Sequence, residues 1–436
     1  MRRRLLPGAP GVPRAAPGAR KSAVEPAHKS AHKAGHELAL KPTTPSSCFA
    51  IATPGFEPVV AAELRALGFN DAAIEQGGVA FSADSGGVFI ANLQLRSATR
   101  VLVRVAEFTA KSFAELERRA KPVAWKSYVK SDARAEFRVT CKKSRLYHSD
   151  AVAERLTRSL VTAVPGVEVG RAAKDDGEDD SDGAPKPASQ PASRSQQAAP
   201  SQLFVVRFLH DVCTISADAS GELLHRRGYR LATAKAPIRE NIAAGCLLAL
   251  GYDGTQPLID PMCGSGTFAI EAALIARKIP PGINRRFACE LWPGFDAPGA
   301  ERARAGARSG ITSSAPAPIH ASDRDAGAIE ATIANATRAG VVADLVVGKI
   351  ALSGIESAGA HGILVANPPY GARVGERDPL RNLYAQLGNV ARGNLPGWRV
   401  ALVSAERALE AQTKLPFEEL VRFSNGGIKV RLIATR

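Results

Sequence analysis

Hydrophobic positions along the chain fall into a silent tail and two patterned regions. Residues 1–46 are rich in Pro, Ala, Gly and Arg without any sustained apolar period, which predicts a disordered basic tail. From Cys48 a strand and turn (CFAIATPG) lead into an amphipathic helix, FEPVVAAELRALGF, with Val59, Val60, Leu64 and Leu67 on one side. A second strand, GGVAFSA, follows. VFIANLQLR and SFAELERRAKPVAW predict helices around the strand RVLVRVAEF, and AEFRVTCKKS predicts a strand running into the helix YHSDAVAERLTRSL. Residues 173–200 then contain no aromatic and no aliphatic larger than alanine, as expected of a disordered insertion. Because QLFVVRFLHDVCTISADAS resumes as two strands, the insertion interrupts a sheet connection within an α+β region.

The second patterned region alternates strand and helix. A helix is expected to start near Pro237 and to bury Ile242, Leu247 and Leu248. Strands are expected at LID (258–260), PIHASD, LVVGK, GILVAN and WRVALVSA. LVRFSN and KVRLIATR then join through Asn425-Gly426-Gly427. Such alternation, closed by a hairpin, predicts a doubly wound and mostly parallel sheet with an antiparallel final strand.

A length of 436 residues suits two or three domains, and 45% hydrophobic with 23% charged residues is globular composition. No apolar run reaches the length of a bilayer span, and no apolar core of a secretory signal follows Arg2, Arg3 and Arg4, so a soluble protein is expected. Six cysteines without a CxxC pair suggest neither a zinc knuckle nor a disulfide framework, and a reducing, cytoplasmic setting fits. His28, His32 and His36 recur every four residues in the tail, where metal binding is not expected. The net charge of +15 favours a polyanionic partner. The tail holds nine Lys/Arg against two Glu, and residues 173–200 hold six acids against three bases, so the remainder keeps +11. The patterned body is itself basic.

Candidate chemistry concentrates at two strand ends. LIDPMCGSGTFAIEAALIA reads as a buried strand, a glycine turn and an apolar helix, which is how α/β proteins build a ligand crevice. Asp260 would face a dinucleotide pyrophosphate unfavourably but would attract the ammonium of an amino-acid ligand such as the methionine part of S-adenosylmethionine. Gly264 and Gly266 would let the backbone approach that ligand. Asp323 ends the next strand and could hold ribose hydroxyls, or could cap the following helix. At the end of GILVAN stands Asn367-Pro368-Pro369-Tyr370. Two prolines remove donors and stiffen the backbone, so the Asn oxygen and nearby carbonyls can grip an amino group conjugated to a ring, while Tyr370 offers a stacking face. Lys142, Lys143 and Arg145, beside Tyr147 and His148, suit either RNA phosphates and a stacked base or a solvated loop. Arg226, Arg227 and Arg230 form a second compact basic group around Tyr229.

DPMCGSG paired with NPPYG resembles the class I S-adenosylmethionine-dependent amino-methyltransferases. FAIATPGFEPVVAAELRALGF, NLQLRSATRVLVRVAEF, VTCKKSRLYHSDAVAERL, LHRRGYR and APIRENIAA together resemble THUMP-containing RNA methyltransferases, especially the bacterial large-subunit ribosomal RNA guanine-N2 enzymes. The similarity covers residues 47–172 and 201–436. It implies an α/β, Rossmann-like class I methyltransferase sheet with an antiparallel final strand, preceded by an α+β ferredoxin-like/THUMP region. The implied division is a tail (1–46), a ferredoxin-like part (47–83), a THUMP domain (84–219, with the insertion 173–200) and a catalytic domain (220–436). Asp260, Cys263, Gly264, Ser265 and Gly266 would line the methionine side of S-adenosylmethionine, and Asp323 its ribose. Asn367, Pro368, Pro369 and Tyr370 would hold the guanine amino group. Lys142, Lys143, Arg145, Arg226, Arg227 and Arg230 would hold RNA. One departure stands out: where family members tend to carry an acid for the adenine amine, VVGKIAL offers Lys349. The expected activity is methylation of guanosine N2 in large-subunit ribosomal RNA by a monomer, without metal or membrane. A tRNA guanine-N2 enzyme and a non-catalytic RNA-binding assembly factor are the rivals. Bifunctional relatives carry a second methyltransferase after the first, and since this chain stops at Arg436 no second activity is expected.

Overall fold

A computed structural model describes residues 45–172, 201–231, 238–370 and 377–436. The tail up to Thr44, the insertion 173–200 and the helix start expected at Pro237 lie outside the described residues.

The N-terminal half is one eight-stranded sheet. Its strands are β1 (Ser46–Ala52), β2 (Ala73–Glu75), β3 (Gly78–Ala83), β4 (Ala98–Thr109), β5 (Arg134–Lys142), β6 (Glu168–Arg171), β7 (Ser201–Leu209) and β8 (Val212–Asp218). They lie in the order β2-β3-β1-β4-β8-β7-β5-β6. Helices α1 (Glu57–Ala66), α2 (Ser85–Gln94), α3 (Phe113–Ala120) and α4 (Ser149–Ala163) cover it. β4 has 12 residues and serves two cores. Its first half pairs with β1 and joins Cys48, Leu64, Phe81 and Phe89. Its second half pairs with β8 beside the core of Trp125, Phe137, Leu156, Phe204 and Ile215. α2 buries Phe89 and Leu93 in the same core as β1 and β3. β6 and β7 both pair with β5 in parallel, one on each side of it.

The C-terminal half is a seven-stranded sheet, β9 (Leu258–Asp260), β10 (Ile319–Asp323), β11 (Leu345–Lys349), β12 (Ile363–Ala366), β13 (Arg399–Ser404), β14 (Glu418–Asn425) and β15 (Ile428–Ala434). The order β11-β10-β9-β12-β13-β15-β14 has its first five strands parallel, and β15 runs antiparallel to both neighbours. This is the Rossmann-like sheet, with its antiparallel final strand inserted between β13 and β14. From β9 the chain winds outward to β10 and β11, and then returns to β12 on the opposite side. That reversal opens a crevice at the carboxyl ends of β9 and β12. Helices α5 (Glu240–Ala249) and α6 (Thr267–Ala276) bury Ile242, Leu247, Phe268 and Leu274 against one face. α9 (Arg377–Asn394) buries Tyr384 and Leu387 on the other, and α8 (Ala326–Ala339) and α10 (Arg407–Gln412) complete the layers. Every residue of β12 is buried, as a central parallel strand requires.

α7 (Ala297–Ser309) belongs to an excursion between α6 and β10 that leaves its own sheet. Ile283, Phe287, Cys289, Ala300 and Ala303 join the core of the N-terminal half. Trp292 Nε1 donates to Gln202 Oε1 over 2.6 Å, and its ring meets Tyr128 edge-on at 4.9 Å. Nearby, Glu63 on α1 accepts from the backbone N–H groups of Arg96 (2.7 Å) and Ser97 (3.0 Å), and Arg96 reaches the carbonyl of Ile279 (2.8 Å). The two halves thus share polar contacts as well as apolar ones.

Candidate active site

β9 delivers Asp260, only 2% exposed, to the carboxyl edge of the sheet. The turn that follows depends on two glycines, Gly264 with φ 54° and Gly266 with φ 83°, the second capping α6. Both conformations strain a side chain, and a Cβ on Gly266 would stand 2.8 Å from Thr332 Cγ2. α8 holds the turn from behind. Thr332 Oγ1 donates to the Gly264 carbonyl (3.0 Å), and Asn335 Nδ2 donates to that of Ser265 (2.9 Å). The Cys263 N–H meets the Ser322 carbonyl at 2.9 Å, with its buried thiol 3.5 Å from Thr332 Oγ1. These contacts fix the carbonyls of the turn from the α8 side.

Asp323, at the end of β10, accepts from the Gly264 N–H (3.1 Å) and the Asp325 N–H (3.0 Å). It is not the helix cap; Asp325 takes that role for α8 by accepting from Gly327 N–H at 2.9 Å. Asp260 is pushed up to about 8, chiefly by burial and further by the charge of Asp323, against the Met262 N–H at 3.3 Å. A cationic ligand group would relieve that cost, so this cradle fits an ammonium next to hydroxyls. Lys349 ends β11 directly opposite Asp323 in register and is exposed. Ile350 comes next: its N–H donates to the Asp323 carbonyl (3.1 Å) and its side chain is 41% exposed. An exposed isoleucine beside Asp323 presents an apolar face at this edge. Sequence alone does not single it out, because one aliphatic residue after a strand has no motif to distinguish it.

Asn367 leaves β12 next to β9 at the same sheet edge, since Ile363 and Leu364 pair with Leu258 and Ile259. Its Oδ1 is buried and has no hydrogen-bond partner within the described residues. A buried carbonyl oxygen left unpaired is costly, and the cost is recovered when a ligand N–H arrives. Pro368 is buried, Pro369 exposed, and Tyr370 rests partly buried against the catalytic-half core. Burial raises its phenol, whose oxygen accepts from Asn425 Nδ2 at 2.8 Å. The fold therefore brings the glycine turn, the two aspartates and the acceptor turn to one edge.

The basic residues separate into two kinds. Lys142, the last residue of β5, and Lys143 and Arg145 on the loop to α4 are exposed; the loop is shaped by Lys143 at φ 49° and by Asp211 Oδ1 accepting from the Arg145 N–H at 2.7 Å. Tyr147, 68% exposed, has its ring 4.0 Å from that of His148. Arg226 is exposed beside Glu222 at 3.5 Å. Arg227 and Arg230 turn inward instead. Arg227 is buried, donating to the carbonyls of Leu224 (2.7 Å) and Arg96 (2.5 Å), and lies 3.5 Å from Glu271. Arg230 donates to the Ile238 carbonyl (2.8 Å) and to Glu240 (3.0 Å). A buried guanidinium needs such partners, and these are consumed inside the molecule. His225, buried among these arginines, is pushed down to about 3 by burial first and by their charge. Among the described residues no cluster of His, Cys, Asp or Glu could hold a metal, and no helix is long and apolar enough to cross a membrane.

Two family models match the chain: an RMKL-like methyltransferase domain over residues 227–432 and an RlmL ferredoxin-like domain over residues 47–102. The protein slr0064 of Synechocystis sp., provisionally described as an RNA methyltransferase, is 31% identical over 386 residues, covering 88% of this chain and 95% of its own length. The ribosomal RNA large subunit methyltransferase K/L of Syntrophotalea carbinolica is 32% identical over 414 residues; the match covers 89% of this chain but 53% of that protein. Among solved structures, the methyltransferase homologue SMU.472, complexed with SAH, superimposes with a TM-score of 0.76 at 27% identity, covering 90% of this chain and 98% of that one.

Proposed function

Since this chain belongs to the family of class I S-adenosylmethionine-dependent RNA methyltransferases that carry an RlmL-type ferredoxin-like domain, we propose that its acceptor is the exocyclic N2 amine of a guanosine in large-subunit ribosomal RNA. The observation that carries this reading is Asn367 Oδ1, buried without a hydrogen-bond partner among the described residues, at the sheet edge that also carries the glycine turn. The lone pair of an aromatic amine is delocalised into its ring. An acceptor on its N–H bonds draws that lone pair out of conjugation and aims it, and a rigid two-proline turn keeps the acceptor from relaxing toward solvent.

The cradle suits S-adenosylmethionine: Asp260 would hold its ammonium, Asp323 its ribose hydroxyls, and Ile350 the flat of its adenine. When bound, the cofactor supplies a methyl group activated on a sulfonium. The protein's part is placement. Tyr370 gives an extruded base a stacking face, Pro368 and Pro369 fix the height of the turn, and the buried edge keeps water away. No side chain has to take the amine proton beforehand, because the alkylated amine is acidic enough to lose it to solvent. The exposed Lys142, Lys143 and Arg145 loop supports an RNA substrate through phosphate contacts.

Transfer of tritiated methyl to naked large-subunit RNA, assembled large subunits and tRNA in parallel, followed by nucleoside analysis, tests the reading. Label recovered as N2-methylguanosine in large-subunit RNA is expected. Label confined to tRNA, or found on adenine, would reassign the acceptor, and no label in any RNA would remove the enzymatic reading.

A further inference from the structure

A hydrogen bond ties the acceptor turn to the far edge of the catalytic sheet. Asn425, the last residue of β14 and 8% exposed, donates from Nδ2 to the Tyr370 hydroxyl oxygen over 2.8 Å. Tyr370 lies three residues beyond Asn367 on the connection that follows β12, whereas Asn425 ends β14.

The hairpin that presents Asn425 is stiff. Gly426 and Gly427 both take positive φ, 58° and 79°, the two-residue type I′ arrangement whose twist matches an antiparallel pair, and Asn425 faces Ile428 across it. Two residues back on the same strand face, Phe423 is buried 5.0 Å from the ring of Phe56, which begins α1 of the N-terminal half. That face of β14 is therefore anchored by aromatic packing at one point and turns polar where it meets Tyr370. Hairpin stability alone does not call for a buried amide here, since an apolar residue would fill the position without a polar group to satisfy. What the amide adds is direction. The phenol oxygen lies on the axis of ring rotation, so holding it fixes where the ring points, while the surrounding core side chains limit its rocking.

We propose that Asn425 is a positioning residue for methyl transfer, acting through Tyr370 by holding its ring where the extruded base stacks. This rests on the reading that Tyr370 forms the acceptor side of the site. The consequence is a loss confined to transfer: releasing Tyr370 misplaces the base and leaves the cofactor cradle of Asp260, Gly264 and Asp323 as it was.

The test uses the full chain with the best RNA acceptor of the wild type. Asn425→Leu and Tyr370→Phe each remove the bond from one side. Both should lower kcat roughly tenfold or more while the calorimetric Kd for S-adenosylmethionine stays at the wild-type value. The double variant should be no slower than the slower single. Asn425→Asp, which can accept from the tyrosine hydroxyl, should restore most of kcat, and with Tyr370→Phe it covers the case in which Asn425→Leu does not fold. Wild-type kcat in Asn425→Leu, losses that multiply in the double variant, or cofactor affinity falling as far as kcat would each overturn the proposal. Failure of the guanine reading shows separately, as wild-type label on another nucleoside.

Discussion

Asp260 makes the protein sensitive to pH in a direction opposite to that of an ordinary salt-bridged aspartate. Its carboxyl is raised from 3.8 to about 8, so between those values the folded chain keeps a proton that the unfolded chain has released. The contribution is fully present below about pH 4 and is lost as pH rises through the folded value. In the absence of cofactor, Tm should therefore fall as pH is raised across that window, and Asp260→Asn should flatten the slope; an unchanged slope would remove Asp260 as its source. A ligand ammonium favours the charged form, so cofactor binding near neutrality should release a proton. Calorimetry in buffers of different ionisation enthalpy would detect it, and the signal should vanish in Asp260→Asn together with most of the affinity. Asn367→Ala should instead retain cofactor binding and lose transfer by about 10²-fold or more. Both residues are legible in the sequence, because a carboxylate before a glycine turn and an amide before two prolines are unusual demands on residue type. Ile350 is not, since its value comes only from standing next to Asp323 in the fold.

At the scale of elements, α8 shows why a motif understates its site. The glycine turn reads from sequence as self-sufficient, yet its carbonyls are fixed by Thr332 and Asn335, some seventy residues downstream. Thr332→Val keeps the shape and removes the hydroxyl, so it should destabilise the protein by about 1 kcal/mol and weaken S-adenosylmethionine binding several-fold. A thermal melt and a calorimetric titration check both, and no change in either would mean that the turn holds itself. Strands such as β12 are easy to foresee, because an unbroken apolar run admits few alternatives. β4 is only half foreseeable: its pattern marks a strand but cannot say that one end belongs to one core and the other end to the next. α7 escapes the sequence pattern for a related reason. Its apolar stripe is made of alanines, Ala300 and Ala303, and they are buried against α2 of the other half, not against its own sheet.

For the whole molecule, the basic residues divide into those that face solvent and those that hold the chain together. Charge counting alone cannot separate them, because LHRRGYR and CKKSRLYH have similar composition. Burial separates them. Arg227 joins the carbonyls of Leu224 and Arg96 to Glu271 on α6, the helix that rises from the cofactor turn. Its removal leaves a buried carboxylate and two carbonyls short of a donor, so Arg227→Ala should cost about 3–5 kcal/mol, visible as a lower denaturation midpoint. The loop of Lys142, Lys143 and Arg145 should behave in the opposite way. The side chains there are exposed, and the loop is held through the backbone N–H of Arg145, which alanine keeps. Replacing all three by alanine should shift stability by no more than about 0.5 kcal/mol. RNA affinity should fall across sequences, and the slope of log K against log salt should become shallower by about 0.7–0.9 for each phosphate that the loop no longer neutralises. Filter binding over a salt series reads both quantities. An unchanged slope with unchanged affinity would move the RNA path off this loop, while the Arg227 result would stand, because it rests on burial and not on the substrate.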